Sequence, residues 1–249
     1  MSVTIKSARE IEKMREAGRI LSKVHLELEK AIHPGMSTMD IDRLGERLIR
    51  SYGCVPSFKN YNGYPASICV SVNQEVIHGI PSRHRILREG DIVSIDAGVV
   101  YQGYHSDAAR THAVGKISPD AQKLIDVTRE SFFQGIKFAK AGNHLNDISS
   151  AIQAYAESFG YGVVRDFVGH GIGAHLHEEP EVPNFSQKRK GIRLMPGMTL
   201  AIEPMINAGR PDVMCLDNNW TIVTDDGSRS AHYENTILIT EGEPEILSL

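Results

Sequence analysis

The chain has 249 residues, 23% charged and 41% hydrophobic, with a formal charge of −4. These values exclude global disorder and allow one large domain or two modest ones, either with a real core. No Lys/Arg run is long enough for a nucleic-acid surface, and Gln187-Lys188-Arg189-Lys190 reads as a solvated loop. No apolar stretch approaches the ~18 residues of a membrane span, and Met1-Ser2-Val3-Thr4-Ile5-Lys6 lacks the features of a signal peptide. Cys54, Cys69 and Cys215 are odd in number, widely spaced and without a CxxC pair, which points to a reducing cytoplasm.

The first predicted element is a helix from Ser7 to about Ile32, because Ile11, Met14, Ile20, Leu21, Val24 and Leu28 recur at helical spacing. His33-Pro34-Gly35 ends it. A second helix opens at Ser37-Thr38-Met39-Asp40 and stops at Gly53. Strand-like runs follow at Ser67–Val72, Asp91–Ala97 and Gly103–Ala113. The second half repeats this order: helical from Asp120 to Lys140 and from Leu145 to Phe159, then strand-like at Thr199–Glu203, Trp220–Thr224 and Glu234–Thr240.

One offset of 107 positions relates the halves, carrying Gly35 to Gly142, Asp40 to Asp147, Gly53 to Gly160, Gly90 to Gly197 and Asp96 to Glu203. We read this as a duplication, with halves at about 1–118 and 119–249 inside a single domain. Halves this small should share one sheet and one core. The predicted class is α+β, a curved and largely antiparallel sheet backed by helices.

Four of the strand-like stretches carry an acid where a buried strand should have none: Asp96, Asp107, Glu203 and Glu234. An unpaired buried carboxylate costs several kcal/mol, roughly, unless a proton, an ion pair or a metal relieves it. Asp96 and Asp107 bracket what reads as a hairpin. A turn centred on Tyr101-Gln102 sets them face to face, with Cβ atoms about 4.5–5.5 Å apart, although Gly98 and Gly103 leave room for a bulge or a longer loop. His170 and His177 sit in the glycine-broken run Gly169-His170-Gly171-Ile172-Gly173-Ala174-His175-Leu176-His177. Seven positions apart on an unbroken strand, they would point to opposite faces and do different work, one as ligand and one meeting substrate. His175 reads as structural. Four carboxylates and an imidazole balance two divalent ions better than one, and oxygen-rich ligation favours manganese, iron or cobalt over a thiolate-type zinc site. Such a pair of ions does hydrolytic chemistry.

Several segments together resemble the type I methionine aminopeptidases: Asn73-Gln74-Glu75-Val76-Ile77-His78-Gly79-Ile80-Pro81, the Asp96/Asp107 pair, His170-Gly171-Ile172-Gly173 with His177-Glu178-Glu179-Pro180, Met198–Pro204 and Glu234-Asn235-Thr236. The resemblance runs end to end and implies the pseudo-twofold pita-bread fold. It implies that Asp96 chelates one metal, that His170 and Glu203 serve the other, and that Asp107 and Glu234 bridge both. It also implies that Glu203 handles the proton of the attacking water, while His78 and His177 touch substrate at the scissile bond. The methionine pocket would be lined by Phe58, Tyr61, Tyr64, Cys69 and Trp220. Phe58 and Leu176 stand where some members carry a cysteine and a phenylalanine, which bears on pocket shape. Backbone carbonyls of Asn73, Glu75 and Ser230 would hold a monovalent cation.

The resemblance further implies a bacterial, cytoplasmic monomer acting on peptides with N-terminal methionine, including nascent chains near the ribosome, with no nucleic-acid recognition and no membrane. Removal of methionine would need a small second residue, a rule that the Met1-Ser2 start satisfies. The 26 positions between His177 and Glu203 leave no room for the insertion of type II enzymes, and a helix starting at Ser7 leaves no zinc-binding extension. Two other readings share the scaffold: an X-Pro dipeptidase or proline aminopeptidase, and a binding protein that has lost its ligands.

Overall fold

The computed structural model describes residues 3–249; Met1 and Ser2 lie outside the described residues. Helix α1 (Ala8–Ala31) begins where the Glu10 carboxylate accepts hydrogen bonds from the Ser7 N–H and hydroxyl, at 2.7 and 2.6 Å. Its stripe of Met14, Ala17, Leu21, Val24 and Leu28 is buried. Helix α2 (Thr38–Ser51) is capped by Ser37, whose hydroxyl oxygen accepts from the Asp40 N–H. Strands β1 (Val55–Pro56), β2 (Ile68–Val72), β3 (Glu75–Ile77), β4 (Ile92–Tyr101) and β5 (Tyr104–Ala113) complete the first half. The second half runs α3 (Pro119–Ile136), α4 (Leu145–Glu157), β6 (Gly162–Val163), β7 (Gly169–Gly171), β8 (Glu178–Val182) and β9 (Thr199–Ile202). It ends with β10 (Met205–Asn207), β11 (Val213–Cys215), β12 (Ile222–Thr224), β13 (Ser230–His232), β14 (Asn235–Leu238) and β15 (Glu245–Ile246).

All strand pairings among the described residues are antiparallel. The expected shared sheet is realised as two principal sheets, β1-β4-β2 with β5 beside β4, and β15-β14-β9-β7-β8, with two three-stranded sheets besides. The principal sheets meet along β5 and the start of β14, where Glu234 N–H donates to the Ala109 carbonyl at 3.0 Å, Ala109 N–H to the Glu234 carbonyl at 3.3 Å, and Thr236 Oγ1 bridges the Asp107 N–H and carbonyl at 2.9 Å each. Backbone pairing goes no further because β15 and Leu247 occupy that edge of β14 from Thr236 onward. Glu234 therefore sits at the seam between the halves.

The repeat reaches into the backbone. Isolated bridges join Ser37 to Ile86 and His144 to Arg193, each residue 107 positions from its counterpart. Gly35 and Gly142 have φ of 92° and 93°, and Gly90 and Gly197 have 90° and 86°, values that a side chain would strain. Each half also builds its own core, where one common core was expected. Leu21, Ile41, Ile68 and Ile95 pack α1 and α2 on the first sheet, while Phe132, Ile148, Leu200 and Ile237 pack α3 and α4 on the second. A third cluster, with Phe58, Tyr64, Cys69 and Leu176, forms a separate apolar group.

Candidate metal centre

Asp96 and Asp107 stand on the β4–β5 hairpin, but not face to face. Tyr101 pairs with Tyr104, so the turn is Gln102-Gly103, with φ of 48° and 82°. This is the primed kind of turn that suits strand twist. Asp96 pairs with Ala109 and Asp107 with Gly98, a register two residues from the one expected. A shift of two keeps every side chain on its face. The two acids are thus diagonal neighbours on one surface.

The other half supplies three more groups. Ile202 on β9 pairs with Asn235 on β14, so the same register sets Glu203 opposite Glu234 just beyond the last pair. His170 lies on β7 between β8 and β9, and the flanking glycines allow that close approach. A Cβ on Gly169 would lie 2.3 Å from the Ala201 carbonyl oxygen, and one on Gly171 would lie 2.2 Å from that of Glu179. Ligand atoms of Asp107, His170 and Glu234 all fall within 4.8 Å of one another. His170 Nε2 is 3.7 Å from Glu203 Oε1. His170 Nδ1 lies 2.8 Å from the Gly171 carbonyl, which can only accept, so Nδ1 carries the proton and Nε2 keeps its lone pair.

Burial dominates the electrostatics. It pushes Asp96 up to about 7 and Glu203 up to about 8. Asp107 and Glu234 rise well above the usual carboxylate range, by burial first and by neighbouring carboxylates second. Burial draws His170 down to about 3, so it is neutral. Asp96 Oδ1 and Glu234 Oε1 are buried without a hydrogen-bond partner. Orphaned carboxylate oxygens beside an imidazole lone pair form a donor set that fits divalent cations, and mutual repulsion makes the ionised set untenable without them.

These residues line a cavity of about 490 Å³ together with Phe58, Tyr61, Tyr64, Cys69, His78, Leu176, His177 and Trp220. The expected opposition of the two histidines does not hold. The β7–β8 pairing shifts register after His170, and the His170 and His177 rings meet edge to face at 4.3 Å. His177 Nδ1 lies 2.7 Å from the Tyr61 hydroxyl. His78 has a left-handed backbone, φ 56°, with its ring edge-on to Phe167 and Trp220 at 5.9 and 6.2 Å. Such an outlier costs about 1–3 kcal/mol and marks functional positions. Cys69 pairs with Asp96 across β2–β4, and burial pushes its thiol well up, which makes it apolar wall rather than a nucleophile. His175 is exposed and does not line the cavity. Ser230 N–H donates to the Asn73 carbonyl at 2.8 Å, which joins two of the positions expected to hold a monovalent cation.

Sequence reasoning passed over two groups. His232 is buried, with Nε2 3.5 Å from Glu203 Oε2; it lies two residues before Glu234 in an extended run, and that spacing was its only signal. Glu178 forms a buried ion pair with Lys6 at 2.7 Å and accepts from the His175 N–H, which ties down the turn carrying His177.

Comparison with known proteins agrees with this geometry. Residues 12–241 match the model of metallopeptidase family M24. The chain is 58% identical over 247 residues to a methionine aminopeptidase of Clostridium acetobutylicum, covering 99% of each. It superposes on the crystal structure of a methionine aminopeptidase from Thermotoga maritima with TM-score 0.97, at 46% identity and 99% coverage of each. The Xaa-Pro dipeptidase of Bacillus anthracis matches with TM-score 0.79 and 26% identity, over 98% of this chain and 61% of that one. A centre of buried acids and one neutral imidazole, carried on this fold and at these identities, places the chain in metallopeptidase family M24, among the methionine aminopeptidases.

Proposed function

We propose that the chain removes N-terminal methionine from peptides whose second residue is small, using two divalent ions, manganese, iron or cobalt. The observation that carries this reading is the convergence of Asp107, His170 and Glu234 beside Asp96 and Glu203, in a cavity that Phe58, Tyr64, Leu176 and Trp220 also line. Asp96, His170 and Glu203, together with Asp107 and Glu234 between them, would hold the ions. When bound, such ions supply a water of lowered pKa and polarise the scissile carbonyl.

The chain's own residues do the rest. Glu203 accepts a proton from the attacking water, a role suited to a carboxylate whose proton affinity burial has raised. His177 donates toward the oxygen that becomes negative in the tetrahedral state, and Tyr61 steers its ring. His78 orients the peptide from its rigid turn. The methionine side chain lies against Phe58, Tyr61, Tyr64, Cys69, Leu176 and Trp220. A bulky second residue would collide with the crowded floor.

The chain acts as a single catalytic domain of two halves, about 1–118 and 119–249. A monovalent cation on the carbonyls of Asn73, Glu75 and Ser230 would brace the loop before His78. No helix among the described residues is long and apolar enough to cross a membrane. The reading includes a bacterial, cytoplasmic monomer meeting nascent chains near the ribosome and recognising no nucleic acid. Metal-supplemented turnover of Met-Ala-Ser against Ala-Pro peptides tests it: release of methionine is expected, and cleavage of the proline peptide alone would overturn it.

A further inference from the structure

Arg110 stands on β5, three residues after Asp107, and its guanidinium reaches across the seam between the two principal sheets. Nη1 donates to the carbonyls of Ala109, at 2.8 Å, and Glu234. Nη2 donates to Asn235 Oδ1 at 2.6 Å and to the Ser248 carbonyl at 3.1 Å. The guanidinium carbon lies 4.4 Å from the centre of the Tyr233 ring. One side chain therefore grips three consecutive residues, 233–235, with Glu234 in the middle. All four of these acceptors are neutral oxygens.

We propose that Arg110 is a positioning residue of the metal centre, a clamp that fixes the backbone on both sides of Glu234 and so sets its gap to Asp107. The clamp acts where the sheets share their pair of backbone hydrogen bonds, between Ala109 and Glu234. Thr236 Oγ1 bridges the Asp107 N–H and carbonyl at 2.9 Å each, and Thr111 Oγ1 bridges the His232 N–H and carbonyl at 2.9 Å each, so the stretch around Glu234 itself is held by the backbone pair and by Arg110. Arg110 adds bonds to the same two carbonyls and, through Asn235 and Ser248, ties β14 to the chain beyond β15. Its planar fork makes this possible, because a guanidinium offers donors in fixed directions whereas an ammonium offers a single charged point.

This inference rests on the proposed role of Glu234 as a ligand. The test is calorimetric titration of manganese into the full chain, together with steady-state kinetics on Met-Ala-Ser. Arg110→Met should weaken metal affinity about 10–100-fold, the range for groups that orient ligands, and lower kcat at fixed metal while KM stays within about twofold. Arg110→Lys should fail to restore affinity despite keeping the charge. Ile49→Ala, in the core between α1 and α2, serves as a variant destabilised far from the seam and should keep wild-type metal affinity. Wild-type affinity in Arg110→Met, full rescue by Arg110→Lys, or equal loss in Ile49→Ala would each overturn the clamp. Glu234→Ala separates the two ideas: if it binds metal normally, the assignment of Glu234 fails, whereas if it alone loses metal, only the clamp does.

Discussion

The two ends of the catalytic cavity are built on opposite principles. At its floor, Asp96, Asp107, Glu203 and Glu234 are buried against their chemistry, with raised proton affinities and two carboxylate oxygens lacking any partner. On its wall, Phe58, Tyr64, Cys69 and Leu176 are buried in keeping with theirs, with Trp220 half-buried beside them. The Tyr64 hydroxyl donates to the Gly79 carbonyl, and its ring packs edge-on to Trp220 at 5.1 Å. The floor needs something from outside the chain to become stable in its working charge state, and the wall does not. Substitutions should therefore act steeply on the floor and gently on the wall.

The largest effect tests the floor. Asp96→Ala or Glu234→Ala should abolish both metal binding and turnover, measured by titration calorimetry and by methionine release. A variant that retained both would remove the contrast altogether. His177 lies between floor and wall, so His177→Ala should keep wild-type metal affinity while turnover falls about 10²–10³-fold, the scale of one lost transition-state donor. Turnover close to wild type would show that His177 meets no developing charge.

The wall predicts smaller numbers. Phe58→Ala should raise KM for methionyl peptides about tenfold, equivalent to about 1.4 kcal/mol, with metal affinity unchanged and kcat within about threefold. A loss confined to kcat would mean that this ring serves the chemistry rather than binding.

The smallest effect is thermal. Asp96 and Glu203 bind protons more tightly folded than unfolded, where carboxylates titrate near ~4. The metal-free chain should be steadied by those protons at low pH and lose stability as pH rises from about 4 through about 7–8. Metal displaces the same protons, so the Tm gap between metal-loaded and metal-free protein should widen over that window. Each kcal/mol moves Tm by about 2–4 °C for a chain of this size. A metal-free Tm that is flat or rising across the window would contradict the assigned proton affinities.

What local chemistry demands was legible in the sequence. The helices follow from apolar spacing and their caps. The repeat shows in glycines whose positive φ only glycine adopts readily, and the clustered acids show as carboxylates standing within apolar runs. Those signals need no knowledge of distant neighbours, because periodicity, caps and backbone sterics act over a few residues. Tertiary structure decided the rest. Gln102 accepts a left-handed backbone that its identity does not announce, and this moved the hairpin register by two residues. His170 reaches His177 through a register shift in β7–β8. Arg110 and His232 were silent because their partners, Glu234 and Glu203, lie 124 and 29 positions away. Contacts at such separations depend on how two sheets meet at one seam, and no local pattern of side chains encodes that meeting.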